Sequence, residues 1–134
     1  MLTRCGLPLP VYVLADAKHS HCLTDKVYLP TIVRGRVLWH LGYVEKASAV
    51  AFTQSYGEFQ RAACQQELSY RVKGVLTDGF DSTTESMRTL FPRARLGHCL
   101  RHAINKLPKQ LAAIASPVRQ ALRSQFHTLW CRAR

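Results

Sequence analysis

Two aspartates follow apolar runs of strand length. Residues 10–15, PVYVLA, lead into Asp16, and residues 71–77, with Val72, Val75 and Leu76 apolar, lead into Asp78-Gly79. A carboxylate at the carboxyl end of a central strand is where an open α/β sheet places its chemistry. If the two runs are neighbouring strands, the two acids sit side by side at one sheet edge. They would then repel, raise one pKa, or share a divalent cation. The plainer readings are Asp16 as a turn residue paired with Lys18, and Asp78 as a turn or capping residue. A second set of candidates is Cys99-x-x-His102, with His19, His21 and Cys22 upstream. Structural zinc sites use paired ligands at tighter spacing, so incidental His and Cys in a polar connection around 19–25 is the preferred reading.

The elements that must position these residues can be read from periodicity and punctuation. Residues 27–33, VYLPTIV, read as a second strand, in which Pro30 implies an edge position or a bulge. Arg34-Gly35 reads as a turn, and residues 36–45 as a third, largely covered strand carrying His40. Ser48 can cap a long helix to about Leu68, with Val50, Phe52, Phe59, Ala62 and Ala63 as its apolar side. After residues 71–77, Asp81 or Ser82 can cap a helix, and Ser82-x-x-Glu85 has capping-box spacing. Met87, Leu90 and Phe91 give that helix one buried face, and Pro92 stops it. A strand near 94–98 and a helical run from Cys99 follow. Pro108 is expected to break that run, and Ser116-Pro117 to start another helix. Its stripe is Val118, Leu122, Phe126, Leu129 and Trp130, with Arg119 and Arg123 off it.

At 134 residues and 47% hydrophobic, the chain has the size and composition of a single globular domain. No apolar run is long enough to span a membrane. Arg4, the apolar stretch after it and Ala15-Asp16-Ala17 only loosely imitate a signal peptide, since Pro8, Pro10 and an internal acid intervene. Five scattered cysteines, Cys5, Cys22, Cys64, Cys99 and Cys131, with no Cys-x-x-Cys, argue for reduced thiols and a cytoplasmic setting, nucleoid-associated in a prokaryote. The net charge of +11 is unevenly placed. Residues 1–85 hold nine Lys/Arg against eight Asp/Glu, whereas residues 86–134 hold ten and no acid. A polyanion partner, most plausibly nucleic acid, follows from that asymmetry, and Arg88, Arg93, Arg95, Arg101, Lys106 and Lys109 are its candidate contacts.

The order Asp78-Gly79, a helix, Phe91-Pro92-Arg93-Ala94, then Cys99-Leu100-Arg101-His102 resembles the catalytic domain of DDE-type transposases, closest to the Mutator-like group. The likeness runs from about Val11 to Lys106. It implies an α/β, RNase H-like fold: a mixed five-stranded sheet flanked by helices, with a helical C-terminal extension. The strands are expected near 10–15, 27–33, 36–45, 71–77 and 94–98, with the first and fourth parallel neighbours. It also implies that Asp16 and Asp78 are two of three catalytic acids holding Mg²⁺ or Mn²⁺ in a two-metal site for DNA cleavage and strand transfer. Cys99 and His102 match a family motif whose role the sequence does not define. An oligomer is possible in full-length family members.

No acid follows Glu85, and Glu85 itself reads as a helix N-terminal residue, so the family's third carboxylate has no counterpart. Residues 1–107 therefore read as a partial catalytic core, and 108–134 as the start of a basic helical insertion in a truncated copy. That copy is expected to be inactive alone. Two other readings stand beside it. One is a small RNase H-like nuclease with Asp81 as third ligand. The other is a basic nucleic-acid-binding module that uses no metal.

Overall fold

A computed structural model describes residues 6–22 and 25–132 of the chain. Arg4 and Cys5 lie outside the described residues. Two units divide the chain, one up to Gly97 and one from His98 onward.

The first unit is a five-stranded sheet with two helices. The strands are β1 (Tyr12–Cys22), β2 (Asp25–Arg34), β3 (Val37–Leu41), β4 (Gly74–Thr77) and β5 (Arg95–His98), whose last residue, His98, already belongs to the second unit. Their order across the sheet is β3-β2-β1-β4-β5. β1 and β2 are antiparallel, as are β2 and β3, while β1 and β4 are parallel. The long crossover between the parallel strands carries helix α1 (Ala49–Gln66), and α2 (Asp81–Leu90) links β4 to β5. This is the RNase H-like arrangement, a mixed sheet flanked by helices.

One sheet face is dry. Val13, Ala15, Ile32 and Val75 meet Phe52, Tyr56, Phe59 and Ala63 of α1, and Met87 and Phe91 at the end of α2. Phe52, Tyr56, Phe59 and Ala63 stand at i, i+4, i+7 and i+11, one stripe of a helix. Val50, expected on that stripe, is 69% exposed. Ser48 caps α1 as expected, its Oγ accepting from Ala51 N at 3.2 Å. The buried Tyr70 donates to Pro10 O at 2.6 Å and ties the entry to β4 to the entry to β1. On the opposite face Tyr12 and Leu76 remain half exposed beside Leu14 and Leu96.

Four local expectations need correction. β1 does not end before Asp16 but runs on to Cys22, because β2 pairs with it down to Cys22↔Asp25. The polar His19–Ser20–His21 stretch is therefore the outer part of a hairpin, held by backbone ladder bonds rather than by burial. Pro30 is on an interior strand. Its carbonyl accepts from Gly42 N at 2.8 Å, so its missing N–H faces the side where β3 has just ended at Leu41. β3 stops there, where Gly42 packs so close to Ser55 that a side chain would collide with its Oγ, and among the described residues the chain touches β2 again at the Tyr28↔Val44 bridge. Finally, Ser82 does not cap α2. The helix begins at Asp81 behind Phe80, and Ser82 Oγ donates to Ala47 O at 3.3 Å.

The second unit holds α3 (Leu100–Gln110) and α4 (Ser116–Arg132). Pro108 lies within α3 and does not divide it, the helix ending two residues later. α4 starts at Ser116-Pro117 as read from sequence. Of its apolar stripe Leu122 and Phe126 are half-buried, but Val118 and Leu129 are more than half exposed. No helix among the described residues is long and apolar enough to cross a membrane.

Candidate functional site

The β1–β4 ladder runs from Tyr12↔Gly74 to Ala15↔Thr77. The next residue on each strand is an aspartate, Asp16 on β1 and Asp78 just past β4. The parallel register therefore sets the two acids at adjacent positions where pairing stops. Ala15 and Thr77, one step before them, are both buried, and both aspartates are half-buried. Asp16 lies inside a strand and Asp78 at the end of one, so β4 alone delivers its acid by terminating.

Each acid is held differently. Asp16 is fixed through its main chain. Its carbonyl accepts from the Tyr56 hydroxyl at 2.8 Å and from Thr31 Oγ1 at 3.2 Å. Asp78 is fixed through its side chain, Oδ1 accepting from Phe80 N at 2.9 Å across Gly79. Gly79 has φ 77°, a left-handed conformation that a side chain disfavours. Thr77 Oγ1 accepts from Gly79 N at 3.3 Å and meets Thr84 Oγ1 at 3.1 Å, which ties this turn to α2.

Tyr56 bonds to the Asp16 main chain and lies in the field of both acids. Burial raises the pKa of its hydroxyl, and the nearby carboxylates of Asp78 and Asp16 raise it further. The phenol stays protonated and donates, and it feels both charges at once. Sequence reasoning passed over this residue. The signal was a tyrosine on the buried stripe of α1, since a buried phenol must find a partner.

The donor set is two carboxylates, hard oxygen ligands of the kind Mg²⁺ and Mn²⁺ take. Among the described residues no group of three His, Cys, Asp or Glu side chains forms a metal site. Asp81 is exposed in the first turn of α2 and does not complete one. His19 and His21 are exposed on the β1–β2 hairpin. Cys99 is a half-buried free thiol just before α3, and His102 is half-buried in its first turn, both in the second unit. Arg88, Arg93, Arg95, Arg101, Lys106 and Lys109 are all exposed and are spread over α2, the turn after it, β5 and α3.

His40 is a satisfied histidine. Its Nε2 lies 3.1 Å from Ser55 Oγ, and burial holds its pKa below the ordinary value, with Glu58 pulling the other way.

No family model matches the chain, and no curated protein matches its sequence. Solved structures that resemble it include two transposase catalytic domains. One is the Mos1 transposase catalytic domain with Raltegravir and Mn, at 18% identity and TM-score 0.46, over 63% of this chain and 47% of that one. The other is the catalytic domain of Mos1 mariner transposase, at 17% identity and TM-score 0.49, over 87% of this chain and 69% of that one. The chain thus spans about half the length of the first. Both are mariner rather than Mutator-like enzymes. The RNase H-like class of the present chain follows from its own strand order and ladder directions.

Proposed function

We propose that this chain is a DDE-type, transposase-like domain whose Asp16 and Asp78 bind a divalent cation and whose partner is DNA. The observation that carries the reading is the parallel register, which brings two aspartates to neighbouring positions beyond Ala15↔Thr77. Two like charges there repel, and a cation relieves the repulsion. Mg²⁺ or Mn²⁺, when bound in such a site, activates an attacking oxygen and stabilises a leaving one at a phosphodiester. The chain's own part is positional. β1 and β4 set the spacing, Tyr56 and Thr31 hold the Asp16 main chain, and the Gly79 turn holds one Asp78 oxygen. The affinity with the Mutator-like group rests on the order of Asp78-Gly79, Phe91-Pro92-Arg93-Ala94 and Cys99-x-x-His102 alone.

With two acids at hand, weak cation binding and no DNA cleavage by the chain alone are expected. Asp78→Asn is the informative change, because an amide oxygen still accepts from Phe80 N while the charge is gone. Without metal its melting temperature should rise by a few degrees, about 1 kcal/mol. Stabilisation by Mn²⁺, expected in the parent protein, should vanish. A variant that melts lower without metal makes Asp78 a turn residue and removes the site. Cleavage of DNA by the parent protein with Mn²⁺, lost in Asp78→Asn, would favour a small nuclease.

A second reading, a nucleic-acid-binding module without metal, draws on Oδ1 of Asp78 being engaged by Phe80 N. It expects the double variant Asp16→Asn/Asp78→Asn to bind DNA as the parent does and Mn²⁺ to have no effect on either protein.

A further inference from the structure

The second unit contains a groove that the acid pair does not explain. Its cavity of about 690 Å³ lies between α3 and α4, with Ile104 and Asn105 on one wall and Arg119, Arg123 and His127 on the other. The three basic groups stand at i, i+4 and i+8 of α4, so they share one helix face. At 1.5 Å per residue the row is about 12 Å long. Residues 98–134 contain no acid, so nothing within this unit neutralises it.

Arg119 is pre-set. It is half-buried, its Nη2 donates to Ile114 O at 3.1 Å, and its Nε is enclosed with no hydrogen-bond partner among the described residues. A guanidinium held this way loses less rotamer freedom on meeting a ligand, and its planar fork matches phosphate oxygens. Gln120, Ser124 and Asn105 add neutral hydrogen-bonding groups to the same walls. Two guanidiniums and an imidazole in one row, interleaved with amides and a hydroxyl, suit a run of regularly spaced anions better than one small anion. Amide and hydroxyl side chains are also among the usual contacts to phosphate and sugar.

We infer that the α3–α4 groove binds the phosphate backbone of nucleic acid through Arg119 and Arg123, without reading bases. This site is distinct from the exposed arginines and lysines singled out by charge alone, and it does not depend on the metal reading of Asp16 and Asp78.

The test uses the full chain, random-sequence duplex DNA and fluorescence anisotropy over a series of salt concentrations. Arg119→Gln/Arg123→Gln should weaken binding at low salt by at least about tenfold and flatten the slope of log K against log salt by about 2, since each phosphate contact contributes about 0.9. Arg123→Gln alone should flatten it by about 1. Arg119 touches the chain itself, so this single variant keeps the test valid if the double variant unfolds. Lys at both positions should restore the slope. Arg36→Gln/Lys46→Gln, two exposed cations of the first unit, should change it far less. A groove variant no weaker than that control pair overturns the proposal, and so does equal binding of polyglutamate, which would make the partner an acidic protein. Asp16→Asn/Asp78→Asn should keep the parent slope whether or not it has lost Mn²⁺ binding, so the groove and the acid pair are judged separately. Loss of DNA binding in that variant counts against the groove.

Discussion

The unit up to Gly97 and the unit from His98 obey different physics. Every fully buried hydrophobic residue of the first lies between Val13 and Phe91, and aromatic rings of α1 meet those around them edge-on, as Phe52 does Tyr28 and Tyr56. Among the described residues of the second, none is fully buried, and Val118 and Leu129 of α4 stay more than half exposed. The first unit therefore fixes side chains by packing, to the precision that two adjacent carboxylates demand. The second has little packing to fix anything, and carries lysines and arginines with no acid in its own sequence, which asks for less precision. Position and charge are divided between them.

The largest effect expected from this contrast is on stability. Phe52→Ala should cost about 3–5 kcal/mol in urea unfolding, the usual range for a buried phenylalanine. Phe126→Ala, half-buried on α4, should cost clearly less. Similar costs for the two would mean that α4 is packed as tightly as α1, and the contrast would fail.

A smaller effect tests how the packing serves the acids. Tyr56→Phe keeps the ring and removes one of two side-chain donors to Asp16 O. It should cost about 1 kcal/mol of stability. It should also weaken Mn²⁺ binding, which a purely structural hydroxyl would leave alone, and Thr31→Val should act in the same direction.

The smallest effect is a pH dependence confined to the first unit. Burial lowers the His40 pKa, so protonation favours the unfolded chain, in which the imidazole is free to charge. The stability tied to neutral His40 is present above the ordinary histidine value, near 6.5, and is lost as pH falls below it toward the folded value. His40 is partly exposed and Glu58 opposes the shift, so the loss should be modest. Urea midpoints between pH 7.5 and 5 should fall more for the parent than for His40→Gln.

The fold was legible wherever burial writes a pattern. Apolar runs located all five strands, and the Ser48 cap and the Pro92 stop bounded two helices. The neighbourhood of β1 and β4 followed from the right-handed crossover. Illegible parts were those held by groups that leave no periodic trace. The outer hairpin at His19–Ser20–His21 is a strand because its backbone is paired, and its side chains are polar and exposed. Pro30 sits on an interior strand because the neighbouring strand lapses opposite it, ending at Leu41, which the sequence around Pro30 does not announce. The Ser82-x-x-Glu85 spacing imitated a cap, yet the turn at Asp78-Gly79 places the first helical residue one position earlier. At the site, the two aspartates could be named and their adjacency foreseen. Tyr56 could be flagged as a buried phenol in need of a partner, but that partner, forty residues away, could not be named. Arg119 and Arg123 were seen only as residues off an apolar stripe, since a groove needs a second helix.

The parallel ladder has one more consequence, for the order in which the molecule can be built. The β1–β2 hairpin closes across a few residues, within microseconds for typical hairpins. Pairing of Ala15 with Thr77 must instead close a loop of about sixty residues, and that entropy is lost before any contact repays it. Asp16 is thus in its strand early, while Asp78 reaches it only when α1 has been laid across the sheet. The two charges are brought together by a step far less local than the hairpin, and so a costlier one in loop entropy. A chain arrested earlier would carry the hairpin and both aspartates, yet present no acid pair to a cation.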